Sequence, residues 1–333
     1  MSRTVRFHEL GAPDVLRLEE VEVGGPGPGE LLIRVEAIGL NRAEASFRAG
    51  HYIEPVRRFP ARLGAEASGV VEAAGPGVTG FARGQAVSVV PSFSMNDYGV
   101  YGEHAIVPAS AVLHRPDSLD AVTGAAVWMP YVTAYGALVE LGGMRAGDTV
   151  VLTAASSSVG LAAIQVARRM GAVPIATTRG RAKAGRLLRA GAEEVIVTGE
   201  EDVTAGILRI TGGRGADLVL DAVAGPGVTA LAGGLAPGGR LFVYGGLSGR
   251  DTPFPPLGTM RARSMHGYVM FETTTDPVRL RRAEAFVSSG LRSGAFVPVV
   301  DRVFALEEIV EAHRYLESGD QFGKIVVTAG GRP

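Results

Sequence analysis

The sequence predicts an α/β fold in two parts, a partly closed β domain and a doubly wound parallel sheet covered by helices. Three observations lead there. Short strands follow one another without a long helix up to about Asp120, and apolar strands alternate with helices from about Thr123 to His266. The remaining tail has too few elements for a third core. A length of 333 residues suits two domains, and 46% hydrophobic residues against 20% charged supply apolar material for two cores.

In the first part, Leu31–Ala37, Gly69–Ala73, Gln85–Pro91 and Tyr101–Pro108 are short runs of β-branched and apolar residues. Met1–Val5 opens the chain in strand-like sequence, and Gly/Pro turns such as Gly24–Gly29 and Gly75–Gly77 separate the strands. In the second part, Thr149–Ala155 is a continuous apolar strand. Ser158–Met170 follows with Val159, Ala162, Ala163, Val166 and Met170 at helical spacing, and Gly171 stands where the helix should end. Val173–Thr177, Glu194–Val197, Asp217–Asp221 and Arg240–Tyr244 continue the strands, with another helix at Arg181–Ala190. Strands apolar on both faces imply a parallel sheet with helices on either side. From Gly267 the chain carries a helix near Pro277–Ser289, then Val297–Phe304, a helix Leu306–Glu317 and a last strand Gly323–Val327. This tail is expected to return to the first part, giving domains 1–122 with 267–333, and 123–266 inserted between them.

Composition removes several classes of function. The chain has no cysteine, which excludes disulfides and thiolate metal sites. A net charge of −1 offers no field to nucleic acid or an anionic membrane. Apolar stretches read as interrupted before the roughly 20 residues of a membrane helix, and Met1–Val5 lacks a secretory signal's apolar core. A cytoplasmic protein with no nucleic-acid or membrane partner is expected. Only two lysines occur, Lys183 and Lys324, so the position of each carries information.

The strand Thr149–Ala155 runs through a small-residue turn into a helix, the arrangement a dinucleotide fold needs. A pyrophosphate must approach the unpaired amides at the helix start, here those of Ala155, Ser157, Ser158, Val159 and Gly160. The Rossmann fingerprint places three glycines in this turn, and this chain has Ala154, Ser157 and Gly160. An ordinary serine-capped turn is the alternative. After the next strand, an NAD site usually places an acid about 20 residues on. Ala176–Lys183 has none, but offers Thr177, Thr178, Arg179, Arg181 and Lys183. Cations at a helix start oppose its dipole, and arginine holds phosphate bidentately. NADPH is therefore the expected cofactor, with Thr178, Arg179 and Lys183 at its 2′-phosphate. Gly245, Gly246 and Leu247 follow a strand's carboxyl end, where such sheets bind ligands.

Together with Gly39–Glu44, Gly64–Val71, Thr133–Tyr135 and Phe322–Val326, in that order, these residues resemble the medium-chain dehydrogenase/reductase superfamily. The zinc-free quinone oxidoreductase-like branch is the nearest match, over nearly the whole chain. The resemblance implies a GroES-like β domain carrying a Rossmann domain, and a homodimer formed through an edge strand near Arg261–Val269. Zinc-bearing members have cysteine where Asn41 stands and histidine at Ala65, so two of three catalytic ligands are missing and no metal is expected. Glu66 is expected to close a local hydrogen-bond network instead. The family turn reads A-x-x-G-x-x-G, so Ser157 leaves the path of the turn open.

Without a Lewis acid, stabilising a simple alkoxide is difficult. The resemblance thus implies a small-molecule carbonyl or quinone substrate, reduced at a quinone or at the β-carbon of an α,β-unsaturated carbonyl. The alternatives are an enoyl-thioester reductase of fatty-acid or polyketide type and a non-enzymatic NADPH-binding protein. By the same resemblance Asn41 is a cofactor or substrate ligand, with a turn asparagine the other reading, and Tyr52 borders the nicotinamide as lining or as proton donor. Thr133 approaches substrate or nicotinamide, unless it bonds back to its own helical turn. Phe322, Gly323 and Lys324 close over the cofactor, with a strand-edge cap the other reading of Lys324. Phe93, Met95, Tyr98 and Tyr101, in the Pro91–Gly102 loop, either line a substrate cleft or pack that loop.

Overall fold

A computed structural model describes residues 1–330, in two compact units. The first comprises Met1–Met129 and the chain from Pro298 onward; the second is Pro130–Val297.

The first unit begins with β1 (Ser2–Phe7), β2 (Leu16–Val21), β3 (Glu30–Gly39), β4 (Ala61–Arg62), β5 (Ala67–Ala74), β6 (Ala86–Val89), β7 (His104–Pro108) and β8 (Val112–His114). The chain then builds the second unit's β9 (Thr149–Leu152), β10 (Val173–Thr178), β11 (Glu194–Val197), β12 (Ala216–Asp221), β13 (Leu235–Val243) and β14 (Ser264–Gly267). It returns to the first unit with β15 (Val300–Ala305) and β16 (Lys324–Thr328).

Among the described residues, β2-β1-β4 form a three-stranded sheet and β15-β16-β3-β5-β6-β8 a larger one, with β7 paired to β3. Antiparallel pairing dominates, and alternate residues such as Leu31, Ile33 and Val35 turn into one core with Val5, Phe7, Val87 and Val107. This is the GroES-like β domain. The second unit's sheet is parallel throughout, in the order β11-β10-β9-β12-β13-β14. Numbered within that sheet, the order is 3-2-1-4-5-6, the Rossmann arrangement. Its strands are buried through Val151, Ile175, Ile196, Val219 and Leu241, which is why they read as continuous apolar runs.

Helix Ser158–Arg169 ends as expected, with Gly171 left-handed at φ 77°. It buries more than the expected stripe: Leu161, Ile164 and Ala167 are inside as well, while Val159 is only half-buried. Arg181–Ala190 proves to be a short 3₁₀ turn, Arg181–Lys183, leading into Ala184–Arg189.

The domain boundaries differ from the expected 122/123 and 266/267. Helix Pro277–Arg292 belongs to the second unit, held by contacts that local periodicity does not encode. Phe286 lies 5.0 Å from Tyr135, Phe296 lies 4.8 Å from Tyr131, and Gly290 makes room for Phe296. The stretch Ala121–Leu141 also departs from expectation. It is helical, and long and apolar enough to cross a membrane by length and composition, yet 78% of its apolar 18-residue window is buried inside the fold. Its apolar surface serves as core.

Candidate active site

The second unit supplies a cradle for a dinucleotide. β9 and β12 are neighbours at the point where strand order reverses, and the turn after β9 opens into helix Ser158–Arg169 there. Ser157 has φ −71°, so this position needs no glycine. The left-handed residue is instead Ala154, at φ 46°. The Ser157 hydroxyl oxygen accepts from Gly160 N at 3.1 Å. Gly160 is required by close approach, since a Cβ there would lie 2.5 Å from Ala155 Cα. The first-turn amides of Ser158 and Val159 have no partner within the helix, the property that suits such a turn to phosphate.

Asp221, fully buried at the end of β12, braces this opening. It accepts from the Thr153 hydroxyl at 2.6 Å and from the amides of Val223 and Ala224 at 2.9 Å, while Ala222 N donates to Thr153 Oγ1. The sequence reading passed over this pair, whose only signal is an acid closing an otherwise apolar strand.

Of the three cations after β10, Arg181 is paired with Glu200, an acid brought from beyond β11 that the sequence could not place. Lys183 reaches back to the turn itself, donating to Ser156 Oγ at 3.3 Å. Thr178 Oγ1 donates to Gly180 O, and the Arg179 carbonyl accepts from Gly199 N. Lys183 is therefore the cation the structure places at the turn, while Arg181 is paired away from it. Gly245 has a structural reason of its own, because a Cβ would meet Ala222 O at 2.7 Å. Gly246 faces open space, and Leu247 is half-exposed, with its amide donating to Ala222 O. Thr133, also in this unit, is 4% exposed within helix Trp128–Tyr135.

The first unit gathers the other candidates at one end of three adjacent strands. β16 pairs with β3 so that Val326 faces Gly39, and β3 pairs with β5 so that Ile38 faces Ala67. That register brings Lys324, Asn41 and Glu66 to the same level. Lys324 Nζ donates to Asn41 Oδ1 at 2.6 Å and to Glu66 Oε2, and Glu66 Oε1 accepts from Met129 N at 2.8 Å. The expected network around Glu66 is therefore present. Gly39 leaves the space for it: a Cβ would lie 2.7 Å from Lys324 Cε and 2.9 Å from Glu66 Oε2.

Asn41 precedes helix Arg42–Arg48, and the carboxylate of Glu44 accepts from its backbone amide at 2.8 Å. Glu44 also accepts from Asn41 Nδ2 and Ala65 N. Burial pushes the Glu44 carboxyl up to about 7, against the nearby Lys324 ammonium and these hydrogen bonds. Glu44 went unremarked in the sequence, although an asparagine three residues before a glutamate is a recognisable helix-start signal.

Tyr52 packs its ring edge-on against Phe47 at 6.0 Å. Burial, and then the carboxylates of Glu44 and Glu54, push its phenol above the ordinary value. The Pro91–Gly102 loop resolves as packing: Phe93, Met95 and Tyr101 are buried in the core, and Tyr98 donates to Glu30 at 2.8 Å. Phe322 is buried, and Gly323, at φ 121°, has no room for a Cβ beside Val299 O. Among the described residues no three His, Asp or Glu side chains gather as a metal site. Asn41 and Ala65 do not supply the donors a zinc needs, and the remaining carboxylate, Glu66, is spent on Lys324.

Comparison with known proteins agrees with this layout. Residues 27–117 match the alcohol dehydrogenase GroES-like domain, and residues 190–327 match a family described as zinc-binding dehydrogenase. The chain is 32% identical to human quinone oxidoreductase over 98% of both proteins. It is 29% identical to a 2-haloacrylate reductase of a Burkholderia species, over 96% of this chain and 97% of that protein. Among solved structures, Escherichia coli quinone oxidoreductase complexed with NADPH superposes with a TM-score of 0.91 at 27% identity, covering 98% of this chain and all of that one. The chain thus belongs to the medium-chain dehydrogenase/reductase superfamily, in its quinone oxidoreductase-like branch.

Proposed function

We propose that this protein is an NADPH-dependent reductase that works without a metal and reduces a quinone or the β-carbon of an α,β-unsaturated carbonyl. The observation that carries the reading is the Asn41–Lys324–Glu66 cluster, where an amide stands at a position that zinc members fill with cysteine and a buried ammonium engages both that amide and Glu66. Supporting the cofactor are the small residues at Ala154–Gly160, the first-turn amides at Ser158 and Val159, and Lys183 at the turn, with Arg179 assigned to the 2′-phosphate from its place after β10. When bound, NADPH supplies the hydride.

The side chains have the remaining work of holding the acceptor and meeting the charge it develops. A neutral hydroxyl donor in a dry site contributes about 3 kcal/mol to an oxyanion, and a conjugated acceptor spreads its charge enough for few donors to suffice. Tyr52, held protonated by its surroundings, is the proton donor we assign. Thr133 we assign to the nicotinamide or substrate, and Phe322 and Gly323 to the segment closing on the cofactor. We further propose a homodimer through β14, the edge strand of the parallel sheet, flanked by exposed Phe254, Leu257 and Val269.

The test follows the loss of reduced nicotinamide when purified protein and NADPH meet a panel of quinones, enones and enoyl-thioesters. Turnover of quinones or enones supports the reading. Tight NADPH binding with no turnover of any acceptor overturns it, and turnover confined to enoyl-thioesters replaces it with thioester reduction.

A further inference from the structure

We propose that Lys324 is a positioning residue for Asn41, and that the charges bracketing Asn41 make it an acceptor-only group of the active site. This rests on the reductase reading above. Lys324 is 1% exposed and Glu66 fully buried, so the pair is sealed from water. The ammonium donates to Asn41 Oδ1 at 2.6 Å, which fixes that end of the carboxamide as oxygen. At the other end Nδ2 donates to Gly39 O at 3.0 Å and to Glu44 Oε1 at 3.3 Å. Flipping the amide would set its NH₂ against an ammonium and its oxygen against a carboxyl and a carbonyl. Both N–H groups of Asn41 are thereby committed inward. What it still offers is the second lone pair of Oδ1, which accepts from a hydroxyl or amide of a bound molecule and cannot stabilise an oxyanion.

Lys324 thus acts on the site through Asn41, in contrast to the cofactor contact its place in the closing segment suggested. Because Asn41 and Asn96 are the only asparagines in the sequence, ¹⁵N-asparagine labelling yields two carboxamide signals. In the wild-type protein, the Asn41 NH₂ protons should exchange slowly with solvent deuterium. In Lys324→Met they should exchange at least about tenfold faster and shift, with Asn96 unchanged. An Asn41 carboxamide indifferent to Lys324→Met overturns the proposal without bearing on the reductase reading.

The second arm is a double-mutant cycle in turnover, with wild-type activity as its control. Lys324→Met should lower kcat/KM by about tenfold or more, as loss of orientation does. In an Asn41→Ala background the same change should alter it by less than about twofold. Adding Glu66→Gln to Lys324→Met removes both buried charges and should recover melting temperature but not turnover. Additive losses in the cycle, or turnover recovered along with stability, would show that Lys324 serves the fold alone.

Discussion

His313 sits in the core of the first unit, on helix Ile309–Ser318, and is held neutral by its surroundings. Burial, and then the nearby Arg48 guanidinium, push its imidazole down to about 3 from an ordinary 6.5. Its Nε2 lies 3.3 Å from the Tyr101 hydroxyl, and its Nδ1 has no partner among the described residues. The unfolded chain binds a proton below pH 6.5 that the folded chain refuses until about pH 3. Stability from this group is therefore complete above 6.5 and lost as pH falls toward 3. At about 1.4 kcal/mol per unit, roughly 3 kcal/mol is gone by about pH 4.5. Glu44 works in the opposite sense: its stabilising contribution is present below the ordinary 4.5 and lost as pH rises through about 7.

His313→Phe isolates the histidine, since Glu44 is common to both proteins. The ring is kept against Tyr101, and the cost above pH 6.5 is the orphaned hydroxyl, about 1–2 kcal/mol. The variant should be the less stable protein above pH 6.5 and the more stable one, by about 1–2 kcal/mol, near pH 4.5. Urea unfolding across pH, followed by the fluorescence of Trp128, the one tryptophan in the sequence and a residue of the same unit, measures the difference. Parallel acid limbs in the two proteins would refute the assignment.

Arg179→Ala and Lys183→Ala should each weaken NADPH binding by about 10- to 100-fold, the worth of a charged hydrogen bond, and leave NADH binding unchanged. Arg181→Ala, which breaks only the exposed pair with Glu200, should leave both unchanged; calorimetric titration of the three variants decides. Tyr52→Phe should lower kcat by about 100-fold with NADPH affinity intact, and a kcat within twofold of wild type would reduce Tyr52 to cleft lining. Asp221→Ala strands the Thr153 hydroxyl and two amides, and should cost about 3 kcal/mol or more in unfolding free energy.

Much of the second unit was legible because its signals are local. The strand Thr149–Leu152, the capped helix after it and the left-handed Gly171 are each decided within a few residues. Where a contact links distant segments, the sequence carried no trace. Glu200 neutralises Arg181 from beyond the next strand, and Tyr131 and Tyr135 draw Pro277–Arg292 into the second unit. The doubt that Ser157 cast on the phosphate turn was local too, but it concerned a backbone angle. The angle proved ordinary there and unusual at Ala154.

By itself, then, the sequence determined the two-part α/β architecture and the place of the phosphate turn. It also determined the absence of zinc-type donors at Asn41 and Ala65 and the cationic stretch after the second Rossmann strand. All of these follow from residue type and short-range period. Only the tertiary structure brought Asn41 and Lys324 together. They lie 283 residues apart and meet because β16 adds to β3 in one register, with Gly39 leaving the space beside them. A shift of one residue would turn Lys324 to the opposite face of the sheet. Which groups a buried charge faces is set by that pairing.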